Sequence, residues 1–281
     1  MMIKDTVFNM NRFTNLCRKE MVENWRANVL RIILMYGVMA IILCWNAYFT
    51  YKWYALSDMN THTEDPISRF GVMTFLWFLW GFGCLSASFT MEKMKSKNGR
   101  VSVLMTPATP FEQFISRWLI SIIVFLVVFL ITFKLADYTR ILIYTLAYPE
   151  STRINPIDLS ALIGSSKETV WHLVDSTLKF GTIISGYFFT QSCFILGSSI
   201  WPKNSFLKTF SAVVIIAIIY GFVMFGMSKL VLDDGKFYSF GKEVSDDTLF
   251  MIWTIAFTFL SLFNWGLAYF RFKESEIIQR M

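Results

Sequence analysis

The chain has 281 residues, of which 55% are hydrophobic, 18% aromatic and only 16% charged, and it carries a formal net charge of +6. Soluble globular domains carry about 25% charged residues, so this composition excludes an ordinary soluble enzyme, and its apolar content excludes a disordered chain. The four cysteines have no paired spacing and give no sign of a zinc site or a disulfide framework, and His62 and His172 are too few to hold a metal together.

Met1 to Arg26 is polar and mixed in charge, without the short apolar core and small-residue cleavage site of a signal peptide. Within it Phe13, Leu16, Cys17, Met21 and Trp25 recur at helical spacing beside Arg12, Arg18, Lys19 and Arg26. The pattern predicts, for residues 1–28, a helix lying in the cytoplasmic interface or a soluble helix packed on a partner.

Six apolar stretches follow, at Ile32 to Tyr51, Phe70 to Met91, Trp118 to Phe133, Phe180 to Trp201, Phe210 to Ser228 and Leu249 to Phe270. Each is close to the roughly 20 residues that cross a hydrocarbon core of about 30 Å. The predicted fold is an all-α polytopic membrane protein, with residues 29–281 forming a six-helix transmembrane domain. No stretch carries an ionisable residue in its central part, whereas transporters driven by proton or sodium gradients use such groups near the midplane. Energy for any transport is therefore expected from a partner.

Alternation of the six spans sorts the loops into two sides. The side holding both termini collects 16 Lys/Arg and the other 10, which predicts both termini in the cytoplasm. The net charge is thus a topology signal, and nucleic acid is not an expected partner.

The loop from residue 92 to 117 is the most punctuated segment outside the spans. Glu92, Lys93, Lys95 and Lys97 read as a charged extension of the second span, Asn98-Gly99 as a turn, and Val101 to Met105, with Val103 and Leu104, as a short apolar patch beside Arg100. Pro107 separates this patch from Thr109-Pro110-Phe111-Glu112, a capping box with proline at the first helical position. A helix is expected to start at Pro110 and run into the third span. The basic and apolar sides suit a docking element for another protein, or the lysines are only the cytoplasmic girdle of positive charge.

Residues 134–179 form the largest loop on the other side. Asn155-Pro156 and Ser165-Ser166-Lys167-Glu168 read as two helix starts, predicting a small external helical cap or a partly ordered loop. Inside the spans Thr190, Gln191, Ser192 and Asn264 are the polar residues of note, suited to hydrogen bonds between helices or to an intramembrane polar path. Gly164-Ser165-Ser166-Lys167 and Gly197-Ser198-Ser199 lack the spacing of a phosphate loop, and no nucleophile elbow or H-E-x-x-H occurs. No residue is assigned a catalytic, cofactor-binding or metal-binding role.

Leu104 to Trp118, read as LMTPATPFEQFISRW, resembles the "LPAS…EKFLSRW" signature of integral membrane subunits of ABC transporters from Bacteroidetes-type bacteria. Trp201 to Thr209, WPKNSFLKT, resembles the "FKKNAFLKT" turn between the fourth and fifth spans of the same proteins. The resemblance implies an exporter-type permease of the bacterial inner membrane with an N-terminal elbow helix. It implies pairing with a second permease copy or paralogue and docking on separate ATPase subunits that bind ATP and Mg. By position, Glu92 to Met105 would couple to the ATPase, Pro107, Pro110, Glu112, Ser116 and Arg117 would shape the start of the third span, and Lys203, Asn204, Phe206 and Lys208 would make a second cytoplasmic contact. Cargo would be hydrophobic or amphiphilic. A departure from the family is the short polar segment from Val231 to Thr248, where many such permeases carry a re-entrant hairpin. The alternative is a membrane anchor or sensor that assembles with other proteins and moves nothing.

Overall fold

The computed structural model describes residues 8–53, 65, 67–148, 154–163, 172–231 and 246–277. Among these residues the regular structure is helical, apart from an isolated bridge between Ile163 and Val174. Six helices are long and apolar enough to cross a membrane, as the sequence predicts. The chain divides into two compact units, unit 1 made of Met1–Ser86 and Pro107–Phe180 and unit 2 of Ala87–Thr106 and Gly181–Met281.

In unit 1, helix α1 (Met10–Glu23) starts at Asn9, whose side chain accepts from the backbone of Asn11 and Arg12, and stops at Asn24. Helix α2 (Trp25–Trp53) follows after that single break. Helix α3 (Ser68–Ser88) is the second apolar span. Met35, Met39 and Leu43 of α2 bury with Val72 and Phe75 of α3 and with Phe129, Phe133 and Ala136 further on.

The third span departs most from expectation. It begins at Pro110, and the capping box forms as predicted, with Thr109 Oγ1 accepting from the Glu112 N–H and the Glu112 carboxylate accepting from the Thr109 N–H. It does not end near Phe133. In chain order, α4 (Lys97–Leu104, in unit 2) is followed by α5 (Pro110–Leu119), a π-helical turn at Ile120–Val124, and α6 (Phe125–Ala147). Together they make one apolar helix of 38 residues. At 1.5 Å per residue it is about 57 Å long, nearly twice the hydrocarbon thickness. Lys134, Asp137 and Arg140 therefore belong to the third helix and not to a loop.

They do not interrupt the helix because of where they face. Phe129, Phe133, Ala136, Asp137, Arg140 and Tyr144 share the buried stripe, while Ile131, Leu135, Tyr138, Leu142 and Leu146 are exposed. Charges inside and leucines outside is the polarity expected of a helix in lipid. Helices α2 and α6 pack side by side in the same direction, as first and third spans should. Tyr36 Oη meets Thr139 Oγ1 at 2.8 Å, the Tyr144 hydroxyl donates to the Cys44 carbonyl at 2.8 Å, and the Tyr51 and Tyr144 rings lie 5.1 Å apart. At the π turn the Ser86 hydroxyl of α3 donates to the Ser121 carbonyl at 3.1 Å, serving a backbone group in the distorted turn.

The 134–179 segment is accordingly redrawn. Residues 134–147 continue α6, and 154–158 have no regular secondary structure, so Asn155-Pro156 starts no helix. Proline disfavours helical geometry in the residue before it, in keeping with the absence of helix at Asn155. A 3-10 turn (Leu159–Leu162) follows, capped by Asp158, whose carboxylate accepts from Ser160 N–H at 2.9 Å and Ser160 Oγ at 2.6 Å. The Ser160 donors hold the Asp158 carboxyl below the usual carboxylate range. The predicted start at Ser165 to Glu168 lies outside the described residues, as do His62 and most of the Val231 to Thr248 segment.

Unit 2 contains α7 (Thr177–Ile200) from its second turn on, α8 (Ser205–Val231) and α9 (Asp246–Ile277). The turn between α7 and α8 is tight because Asn204 takes φ 57, a region asparagine tolerates better than most residues. Thr209 then packs on Gly197, where an added Cβ would collide with all three side-chain atoms of the threonine. Helices α7 and α9 run in the same direction, joined by Thr182 and Thr254 hydroxyls 2.9 Å apart and by the Phe189 and Phe257 rings stacked at 5.5 Å.

A stiff β-branched neighbour cannot swing away from a side chain at residue 197. Gly197→Val should therefore lower stability by about 1–3 kcal/mol, the usual range for overpacking, and pairing it with Thr209→Gly should recover part of the loss. Thermal unfolding followed by tryptophan fluorescence in detergent measures both.

Candidate functional site

The predicted coupling element is built from two short helices and not from an extension of the second span. Helix α3 ends at Ser88, and Glu92–Lys95 forms a separate 3-10 turn. Ser96 then breaks the path in extended geometry and caps α4, its Oγ accepting from the Gly99 N–H at 3.1 Å. Asn98-Gly99 thus lies in the first turn of α4 and not in a loop turn. The glycine is needed for packing, since a Cβ at residue 99 would come 2.1 Å from the Lys93 carbonyl oxygen. Met94 and Val103 are buried, while Glu92, Lys95, Lys97, Val101 and Met105 are exposed and Lys93 and Arg100 half-buried. Lys97, Val101 and Met105 recur every four residues, so cationic and apolar side chains share one exposed stripe of the helix. Leu104 is its last residue.

The predicted motif of the third span sits in unit 1, and its residues hold α1. Glu112 is fully buried at the first turn of α5. Its Oε1 accepts from Asn9 N–H at 2.7 Å and Arg12 Nη2 at 2.9 Å, and its Oε2 from Arg12 Nε at 2.6 Å and Thr109 N–H at 3.1 Å. A carboxylate has about four acceptor positions, so this one is saturated. One turn on, Arg117 pairs with Glu20 at 3.5 Å, both largely buried. The two ion pairs have opposite polarity, Arg12 to Glu112 and Glu20 to Arg117, which fixes the direction and register of α1 along α5. Ser116 is buried and bonds the Gln113 carbonyl, and Pro107 and Pro110 bracket the cap without contributing a polar side chain.

Sequence reading missed the buried charged cluster around Arg140. Arg140 of α6 is 0% exposed. Its Nε donates to Asp137 Oδ1 at 2.9 Å and its Nη2 lies 2.8 Å from the same oxygen. Nη1 donates to Tyr51 Oη at 2.8 Å and Asp65 Oδ2 at 3.3 Å, and Nη2 also donates to the Asn155 carbonyl at 2.7 Å. All five guanidinium N–H groups have acceptors. Asp65 also accepts from the Tyr51 hydroxyl and from the Ile67 and Asn155 N–H groups. The remaining Asp137 oxygen takes the Ile157 N–H at 2.7 Å, and Lys134 Nζ donates to the Ile157 carbonyl at 2.7 Å. Two cations and two carboxylates balance, and they tie the end of α2, the start of α3, the middle of α6 and the 154–158 segment together. A usable signal existed in the sequence: Lys134, Asp137 and Arg140 are spaced three apart and lie on one helical face between apolar neighbours.

In unit 2 two of the polar residues singled out in the sequence meet across helices. Asn264 Nδ2 donates to Ser192 Oγ at 3.0 Å and approaches Cys193 Sγ at 3.5 Å, which bridges α9 and α7. Gln191 is buried on the same helix as Ser192. At the α7–α8 turn Lys203, Asn204, Phe206 and Lys208 are exposed, and the Phe206 ring stacks between Phe194 and Phe210. Among the described residues no group of three or more His, Cys, Asp or Glu converges as a metal site.

Compared with protein families, characterised proteins and solved structures, the chain matches none of them. The likeness to ABC permeases rests on the two motifs alone.

Because its five donors serve two carboxylates, a phenol and a backbone carbonyl, Arg140 cannot be removed without leaving buried negative charge. Arg140→Leu should cost about 3–5 kcal/mol, the range for breaking a buried pair from one side. Adding Asp65→Asn and Asp137→Asn to that variant should restore part of the loss, as read from thermal unfolding in detergent.

Proposed function

We propose that the chain is the membrane subunit of an ATP-driven exporter in a bacterial cytoplasmic membrane, with both termini inside and separate ATPase subunits supplying the power stroke. The observation that carries this reading is α4. It is a capped, glycine-packed helix in the most basic loop, and it presents Lys97, Val101 and Met105 outward. A short rigid helix with cationic and apolar contacts on one face suits a groove on another protein and can transmit a push from it.

Three further points support the reading. Lys134 and Arg140 belong to the third helix, so the 10 Lys/Arg first counted on the non-cytoplasmic side become 8 against 16, which sharpens the orientation signal. The sequence has no phosphate loop, so ATP turnover would belong to the partner. The apolar helices and the neutral Ser192 and Asn264 pair suit a hydrophobic or amphiphilic cargo, moved with a second permease copy. A second reading, a non-transporting anchor or sensor, is favoured by one observation: Arg140, Ser192 and Asn264 spend their hydrogen bonds on other protein groups.

Reversing the charge of this loop distinguishes them. Replacing Lys93, Lys95, Lys97 and Arg100 together by Glu should reduce co-purification of a phosphate-loop ATPase at least tenfold without altering the elution profile of the chain itself. Unchanged recovery of the ATPase would refute the docking role of α4, and recovery of none with the unmodified chain would favour the anchor.

A further inference from the structure

We propose that residues 154–163 are a releasable strap, docked by charged side chains across the end of unit 1 opposite α1, and that its release opens that end. This inference stands independently of any ATPase.

The strap enters the helix bundle as non-helical chain over residues 154–158. Such backbone carries N–H and C=O groups that helices would pair internally, and apolar surroundings demand partners for them. Here charged side chains supply the partners. Asp65 takes the Asn155 N–H, Arg140 gives to the Asn155 carbonyl, Asp137 takes the Ile157 N–H and Lys134 gives to the Ile157 carbonyl. Pro156 between them has no N–H to satisfy. Four backbone groups of the strap are thus met by the four charged residues of the cluster.

The apolar side of the strap is a plug. Ile157 is 1% exposed and enters a gap left by Gly71, where an added Cβ would lie 2.4 Å from its Cδ1. Ile157 and Leu162 complete the cluster of Met39, Leu43, Val72, Phe75 and Phe133. Asn155, Pro156, Asp158 and Ser160, in contrast, face outward.

Release need not unfold any helix. The i to i−4 bonds of α2, α3 and α6 do not involve the strap. When it leaves, Arg140 keeps Asp137, Asp65 and Tyr51, so the cluster stays charge-balanced. What lifting uncovers is the apolar socket beside Gly71, a surface for an apolar or amphiphilic molecule. The remaining ties of the strap, the Leu173 N–H to the Ala161 carbonyl at 2.8 Å and the bridge of Ile163 to Val174, also lie outside the helices, so its contacts can break while the helices persist, which is the requirement for a two-state element.

Thiol accessibility tests this in the full chain, reconstituted in vesicles, with Cys17, Cys44, Cys84 and Cys193 replaced by Ala. A membrane-impermeant maleimide is applied to single-cysteine variants Ile157→Cys and Ser160→Cys, with the side of addition controlled by vesicle orientation. Ser160→Cys should label fast and Ile157→Cys at least tenfold more slowly. Adding Asp65→Asn or the milder Arg140→Lys, which keeps the charge but loses the fork, should speed labelling at Ile157→Cys at least fivefold and leave Ser160→Cys unchanged. Monodisperse elution shows which clamp variants are folded, and Arg140→Lys serves if Asp65→Asn is not. Equal rates at the two positions in the parent, or no acceleration at Ile157→Cys in a folded clamp variant, would overturn the strap.

Discussion

A guanidinium with no exposed surface governs the architecture of unit 1. Taking an ion from water into an apolar helix bundle costs several kcal/mol after relaxation. The cost is tolerable only where every donor is met and the charge is balanced. Arg140 meets both conditions by drawing on Tyr51, Asp65, Asp137 and Asn155, residues from four separated stretches of chain. Such a group does little for net stability compared with a well-packed apolar side chain. It restricts the alternatives, because any register of α2 against α6 that leaves one donor unmet is heavily penalised.

Glu112 solves the mirror-image problem at the other end of the same long helix. There one carboxylate collects two guanidinium donors and two backbone N–H groups, and α1 is fixed along α5. The 38-residue helix is thus gripped near both ends by saturated ionic groups, with a π turn between them at Ile120–Val124. A π turn is a local mismatch in hydrogen-bond register, frequent at functional positions. Here the two gripped segments lie on either side of the one irregular turn in the helix.

The helices were legible in the sequence because a hydrocarbon core imposes length and composition at once, and six stretches satisfy both. The capping box at Thr109 to Glu112 was legible because its two hydrogen bonds are local. What escaped was the end of the third span. A hydropathy reading stops at Lys134, treating charge as a sign of water, whereas these charges face other helices and the leucines face out. Partners such as Tyr51 and Asp65 come from distant stretches of sequence, so no local pattern can announce them. Asn98-Gly99 was misread for a related reason: the dipeptide favours a turn, but the Ser96 cap and the close approach of the Lys93 carbonyl recruit the glycine into a helix.

The redrawn third span changes where polar chemistry sits. The third apolar helix carries ionisable groups after all, at Lys134, Asp137 and Arg140. The charged cluster lies where α2 ends and α3 begins, two turns before the end of α6. Trp45, Tyr48 and Phe49 on α2, with Lys52 5.5 Å above the Tyr48 ring, form an exposed aromatic and cationic group at that level. Such groups prefer the boundary between hydrocarbon and headgroups. A charge there is cheaper to bury than at the midplane, and water is close enough to receive a non-helical segment that lets go. The ionic residues of unit 1 are therefore placed to hold polar backbone at the edge of the apolar region, a different task from carrying protons or ions across it.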